Sequence, residues 1–150
     1  MAGSDIRVGL IGYGFVGRTF HGPMITATPG MKLVAVASSR PDGVHADYPD
    51  AVVAPSPEAL IARDDIDLVV IAAPNEAHRP LAEAALRAGK NVLGDKPFML
   101  SLADARAVIE TARQSGKIVS VFQNRRWDSD FLGVRSMIDA GHLGRIAHFE

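Results

Sequence analysis

Ile6-Arg-Val-Gly-Leu-Ile-Gly-Tyr-Gly-Phe-Val-Gly17 is an apolar run that passes directly into a Gly-x-Gly-x-x-Gly turn at Gly12, Gly14 and Gly17. A strand ending in closely spaced glycines and opening a helix gathers bare backbone N–H groups and the positive end of a helix dipole at one point, where a pyrophosphate can sit. In that arrangement Gly12 permits the tight turn, Gly14 lets a phosphate approach the backbone, and Gly17 allows the helix to pack on the strand. Tyr13, Phe15 and Val16 are expected to contribute backbone amides rather than side-chain chemistry. The motif alone also fits a tight turn in any α/β protein, so the rest of the chain has to decide.

Short apolar runs alternate with longer helical patterns. The strand candidates are Ile6–Ile11, Leu33–Ala37, Leu68–Ala73, Asn91–Leu93 and Ile118–Phe122. Such alternation means βαβ units, and the expected fold class is α/β: a doubly wound, mostly parallel Rossmann sheet. Helix punctuation agrees. Ser56-Pro57 reads as an N-cap followed by proline at the first helical position, and Gly89 stops an alanine-rich helix that starts near Glu76. Ser101-Leu-Ala-Asp104 resembles a capping box, after which Leu102, Ala105, Val108, Ile109 and Ala112 recur at helical spacing and are expected to cover one face of the sheet. After Phe122 the polar break Gln123-Asn-Arg-Arg-Trp-Asp128 precedes Phe131, Val134, Met137 and Ile138 on one helical face, with Gly141 near its end. The expected division is therefore a dinucleotide-binding domain over 1–123 and the start of a second unit over 124–150. Residues 145–150 alternate as a strand would, with no partner strand in the sequence.

Composition narrows the function. The 150 residues are 47% hydrophobic and 22% charged, which is ordinary for a globular domain. With 16 basic and 17 acidic side chains the formal net charge is -1, so nothing points to nucleic acid or an anionic membrane as a partner. The absence of cysteine excludes disulfides, thiolate metal sites and thiol nucleophiles, and a reducing cytoplasm is the simplest setting. The five histidines, His21, His45, His78, His142 and His148, show no His-x-x-x-His pairing, and no metal site is expected. No basic leader precedes an apolar core at the N-terminus, and no apolar run nears the roughly 18 residues of a membrane span. A soluble cytoplasmic protein is the expectation.

The second strand decides the nucleotide, because an acid at its end binds an adenosine ribose whereas a basic residue accommodates a 2′-phosphate. Here the strand runs into Ser38-Ser39-Arg40. A guanidinium fork and two hydroxyls suit phosphate oxygens, which favours NADP, with NAD as the alternative. The missing acid also argues against an S-adenosylmethionine methyltransferase. The alternative for Arg40 is a solvated loop residue before Pro41. Two further strand ends, Ala73-Pro74-Asn75 and Asp95-Lys96-Pro97, are expected at the same crevice. A lysine there can exchange a proton with a substrate hydroxyl as hydride moves, and desolvation beside a cationic nicotinamide favours its neutral form. Taken alone, Lys96 reads first as a surface lysine.

Together, Gly12-Tyr-Gly-Phe-Val-Gly17, Thr19-Phe-His-Gly-Pro23, Ala73-Pro-Asn-Glu-Ala-His78, Asp95-Lys-Pro-Phe98 and Gln123-Asn-Arg-Arg-Trp-Asp128 resemble the Gfo/Idh/MocA oxidoreductases, and the inositol dehydrogenase-like, NADP-using branch in particular. The resemblance implies that Asp95-Lys96-Pro97 corresponds to the family's Glu-Lys-Pro motif, with Lys96 the active-site lysine and Asp95 a shorter replacement for Glu. It implies that Pro74, Asn75 and His78 flank the nicotinamide end and that Gln123 and Asn124 line the site near the substrate. His78 is equally read as a buried helix-start residue. The implied activity is hydride transfer between a nicotinamide and a sugar, inositol or polyol carbinol. The resemblance also implies a second α+β domain holding the substrate, and the sequence stops where that domain begins. Neither His142 nor His148 is expected to be its catalytic histidine. Completion by another chain or a homo-oligomer is one expectation; a non-catalytic NADP-binding module is the alternative function, and a purely structural α/β domain a third.

Overall fold

The computed structural model describes residues 5–148. The chain forms β1 (Ile6–Ile11), a π-helical turn (Gly17–His21) that runs into α1 (Gly22–Ala27), β2 (Met31–Ala37), α2 (Pro41–Asp47), β3 (Val52–Ala54) and α3 (Pro57–Ile61). It continues through β4 (Leu68–Ile71), α4 (Asn75–Arg87), β5 (Asn91–Gly94), α5 (Leu102–Ser115), β6 (Val119–Val121), a 3-10 turn (Asn124–Trp127) and α6 (Ser129–Asp139). The six strands make one sheet in the order β3-β2-β1-β4-β5-β6. Every pairing is parallel. The chain builds outward from β1 through β2 and β3, then returns to the other side of β1 with β4, so the order reverses between β1 and β4. This is the doubly wound Rossmann sheet.

Alternation along the strands feeds two apolar layers. Val8, Leu10, Leu33, Val36 and Val70 pack with Ile25 of α1 and Val44 of α2. Ile11, Ala35, Ala37, Val69 and Ile71 face the opposite layer, with Leu60 and Ile61 of α3, Leu81 and Leu86 of α4 and Val108 of α5. Each aliphatic side chain fully withdrawn from water here contributes about 1.5–3 kcal/mol relative to exposure. The expected helix ends are present: Ser56 Oγ accepts from Ala59 N at 3.2 Å, and Ser101 Oγ from Asp104 N at 3.1 Å.

Several expectations need correction. Strand β3 and helix α2 were not anticipated, and β4 and β6 are shorter than their apolar runs. Helix α5 buries Val108, Thr111 and Ala112, whereas Leu102 and Ile109 are 67% and 40% exposed. The helical period was correct but its phase was turned, because α5 packs chiefly on α4, with Val108 and Ala112 entering the core. No strand forms over residues 145–148; the remainder of that run, 149–150, lies outside the described residues. Helix α6 buries none of its side chains, and the Phe131, Val134, Met137 and Ile138 face is exposed.

At the amino ends of the strands Asp67 accepts three hydrogen bonds from Arg7, from the backbone N at 2.9 Å, Nε at 2.9 Å and a terminal nitrogen at 2.7 Å. Those bonds pull the Asp67 carboxyl down to about 2. A carboxyl lowered on folding stabilises the fold above its unfolded value and loses that contribution as pH falls through the folded one. Asp67→Asn is therefore expected to lower Tm at neutral pH by roughly 2 °C, a small effect because both side chains are about two-fifths exposed. In melts at successive pH values the gap should close between about pH 4 and pH 2; a constant gap across that window would contradict the assignment.

Candidate functional site

Parallel strands bring their carboxyl ends, and the turns that follow them, to one edge of the sheet. Hydrogen bonds tie these ends together: Gly12 N donates to Ala37 O at 3.0 Å, Ala72 N to Ile11 O at 2.8 Å, Asp95 N to Ile71 O at 3.1 Å and Phe122 N to Gly94 O at 2.9 Å. The sequence-predicted residues at the ends of β1, β2, β4, β5 and β6 thus share one rim, centred on the point where strand order reverses.

The three glycines of the first turn face different constraints. Gly12 has φ +95°, and a β-carbon there would run into the Ala72 carbonyl oxygen; one on Gly17 would run into the Gly12 carbonyl oxygen. Gly14 differs, since a β-carbon would meet nothing within 4 Å. The space above Gly14 is open at the rim, which is the cradle an approaching phosphate needs. Among side chains, Phe15 is exposed at the rim. Tyr13 is buried, and its hydroxyl donates to Asp47 at 2.7 Å, an acid that also accepts from Arg18 Nε at 2.8 Å. Burial, with Asp47 beside it, pushes the Tyr13 hydroxyl well above its ordinary range. Tyr13 therefore ties the glycine turn to the end of α2, a contact the sequence did not reveal.

Beyond β2, the Ser38 hydroxyl accepts from Arg40 N at 3.0 Å, which folds the Ser38–Arg40 turn back on itself before Pro41 opens α2. Ser39 and Arg40 are exposed, and the Arg40 guanidinium has no carboxylate partner among the described residues. Beyond β4, Ala73 is partly buried while Pro74 and Asn75 are exposed where α4 begins.

His78 lies elsewhere than expected. Its side chain is 2% exposed, with Nδ1 3.1 Å from Pro97 O and Nε2 3.0 Å from Ala73 O. It joins the turns after β4 and β5 from within and does not line the crevice, so the buried alternative describes it. Asp95 is also buried, and its Oδ1 accepts from Lys96 N at 2.8 Å. Lys96 is exposed, so this chain does not itself supply the desolvation expected around the amine.

Lys96 opens into a cleft of about 420 Å³. Phe15, Val16, Phe20 and Phe122 make its apolar wall; Asp95, Lys96, Gln123, Asn124 and Arg125 make the polar one. Six of the sequence-predicted residues thus meet here: Phe15, Val16, Asp95, Lys96, Gln123 and Asn124. Ser38–Arg40 and Ala73–Asn75 share the rim but lie outside this cleft. Phe20, Phe122 and Arg125 were not predicted; Phe20 and Arg125 stood within motifs already distinguished, but nothing in their spacing showed which way they point. His21, also missed, is buried behind the cleft with its ring 4.5 Å from that of Phe122. Burial lowers its pKa, against an opposing pull from Asp95.

Strand order and the glycine turn at the reversal point, with the cleft beside it, define a Rossmann fold. Residues 6–123 match the family described as "Oxidoreductase family, NAD-binding Rossmann fold", and the chain belongs to this family, Gfo/Idh/MocA. It is 49% identical over 146 residues to the uncharacterized oxidoreductase YdgJ of Escherichia coli, covering 97% of this chain and 42% of YdgJ. It is 33% identical over 145 residues to the scyllo-inositol 2-dehydrogenase (NADP(+)) IolW of Bacillus subtilis, covering 97% of this chain and 40% of IolW. Against the solved structure of Yersinia pestis YPO2259 the TM-score is 0.92 at 49% identity, over 97% of this chain and 41% of that one. The chain thus spans about two-fifths of the length of these relatives. Among the described residues no helix is long and apolar enough to cross a membrane.

Proposed function

We propose that this chain is the NADP-binding part of an oxidoreductase that moves hydride between a nicotinamide and the carbinol carbon of a sugar, inositol or related polyol. The observation that carries the reading is the open space over Gly14, a glycine that neither its φ nor any neighbour within the described chain requires. The glycine turn would hold the pyrophosphate, Ser38, Ser39 and Arg40 the 2′-phosphate, and Pro74, Asn75, Gln123 and Asn124 would flank the nicotinamide and substrate. The exposed, unpaired Arg40 fits a 2′-phosphate, and IolW is an NADP-dependent relative. When bound, the nicotinamide supplies the hydride acceptor or donor. Lys96 would exchange the substrate hydroxyl proton, and the Asp95 contact to the Lys96 backbone N would hold that corner in place. The division at 123/124 is part of the proposal, with residues 124–150 leading into a substrate domain.

A second reading, a cytoplasmic NADP-binding module without turnover, draws support from the exposure of Lys96 and of all of α6. Nucleotide binding without polyol-dependent reduction of NADP would select it.

Calorimetric titration with NADPH and NADH tests the nucleotide assignment. NADPH is expected to bind more tightly, and Arg40→Ala to weaken it by roughly ten- to hundredfold, the loss of a charge-assisted hydrogen-bonding partner, while leaving NADH unchanged. Equal affinity for both nucleotides, unaffected by the substitution, would remove Arg40 from the site.

A further inference from the structure

We propose that His21 is a positioning residue for the Asp95–Lys96 corner, with its Nε2–H directed from the interior at the Asp95 carboxylate. The inference rests on the proposed NADP reading. Four features of the structure converge on it. The helix after the glycine turn widens into a π-helical turn, Gly17–His21, that ends at His21, and such turns occur often at functional sites. Among the described residues, His21 Nε2 is the buried side-chain nitrogen or oxygen left without a hydrogen-bond partner. The acid it faces is Asp95, with Oδ2 at 4.0 Å and side-chain exposures of 3% for His21 and 10% for Asp95. Asp95 Oδ1 accepts the Lys96 N–H, which leaves Oδ2 as the oxygen that faces His21.

Burial favours a neutral ring, so His21 acts as a dipolar donor rather than as a cation. A carboxylate fixes the tautomer of the imidazole that donates to it, here with the proton on Nε2. At 4.0 Å the two groups are poised, not bonded; a shift of about 1 Å closes a hydrogen bond. Phe122 packs on the imidazole and holds the ring beside the acid. Asp95 lines the cleft on its other side, so a donor behind it fixes the wall against which the nicotinamide half would sit.

The test compares His21→Phe, which keeps a ring without nitrogens, with His21→Gln, which keeps an N–H donor. Each is titrated with NADPH and with 2′,5′-ADP, which lacks the nicotinamide half. His21→Phe is expected to weaken NADPH by about tenfold and leave 2′,5′-ADP within about twofold, with most of the loss recovered in His21→Gln. Nitrogen-15 spectra of the ligand-free wild-type imidazole should place the proton on Nε2 and respond to Asp95→Asn. Unchanged NADPH affinity in His21→Phe, equal weakening of both ligands, or a proton on Nδ1 would each overturn the proposal. A wild-type chain that binds neither ligand would remove the NADP reading instead, and the imidazole spectrum would then decide His21 by itself.

Discussion

Gly12→Ala is expected to abolish the cooperative fold, and with it all dinucleotide binding. The residue sits at φ +95°, a region that costs an L side chain about 1–3 kcal/mol. Steric overlap costs more. An added β-carbon would overlap the Ala72 carbonyl, which is backbone and cannot swing aside, because Ala72 N is bonded to Ile11 O at 2.8 Å and β4 is paired with β1 along its length. Relief requires β1 and β4 to separate at the centre of the sheet. A combined loss of about 4 kcal/mol or more approaches the whole stability of a small domain. Gly14→Ala supplies the control, since its β-carbon meets open space. That variant should melt like the wild type while losing NADPH affinity. Denaturant unfolding of the two variants beside the wild type reads both outcomes, and a Gly12→Ala chain as stable as Gly14→Ala would show that the turn is not built as described.

Lys96→Ala is expected to lower polyol-dependent reduction of NADP by about 10²–10⁴-fold in any form of the protein that turns over, the usual contribution of a positioned proton-transfer group. NADPH affinity should remain within about twofold, since the task proposed for the lysine lies with the substrate proton. Lys96→Arg should fail to restore the rate, because a guanidinium does not release its proton at accessible pH. Steady-state rates and cofactor titrations on the same preparations separate the two effects. Undiminished turnover in Lys96→Ala would refute the proton-transfer role; a parallel loss of rate and NADPH affinity would make Lys96 a cofactor ligand only.

The glycine turn and its place at the sheet edge were legible because they are local. An apolar strand, three glycines at fixed spacing and a helix start within twelve residues of Ile6 dictate both the turn and its place on the sheet. The strand-end motifs followed once the parallel sheet was inferred. Elements held by tertiary contacts were harder to see. Pro41-Asp-Gly-Val-His-Ala-Asp47 carries turn residues, yet it forms α2 because Val44 is fully buried and Asp47 is held by Tyr13 and Arg18. Strand β3 has only three residues at the sheet edge, too few for a periodic signal. His78 shows the same limit at one side chain: its motif placed it near the crevice, but the carbonyls of Ala73 and Pro97 draw the ring inward. The π-helical turn that directs His21 toward Asp95 has no signature in residue spacing.

The most direct test of the central claim, that the carboxyl edge of this sheet binds NADP, is amide chemical-shift mapping of the isotope-labelled chain during titration with NADPH. Saturable shifts are expected to concentrate at Gly12–Gly17, Ser38–Arg40, Asn75 and Asp95–Lys96, with small changes along α5 and α6. Shifts confined to other surfaces, or none at ligand concentrations that saturate a micromolar site, would contradict it.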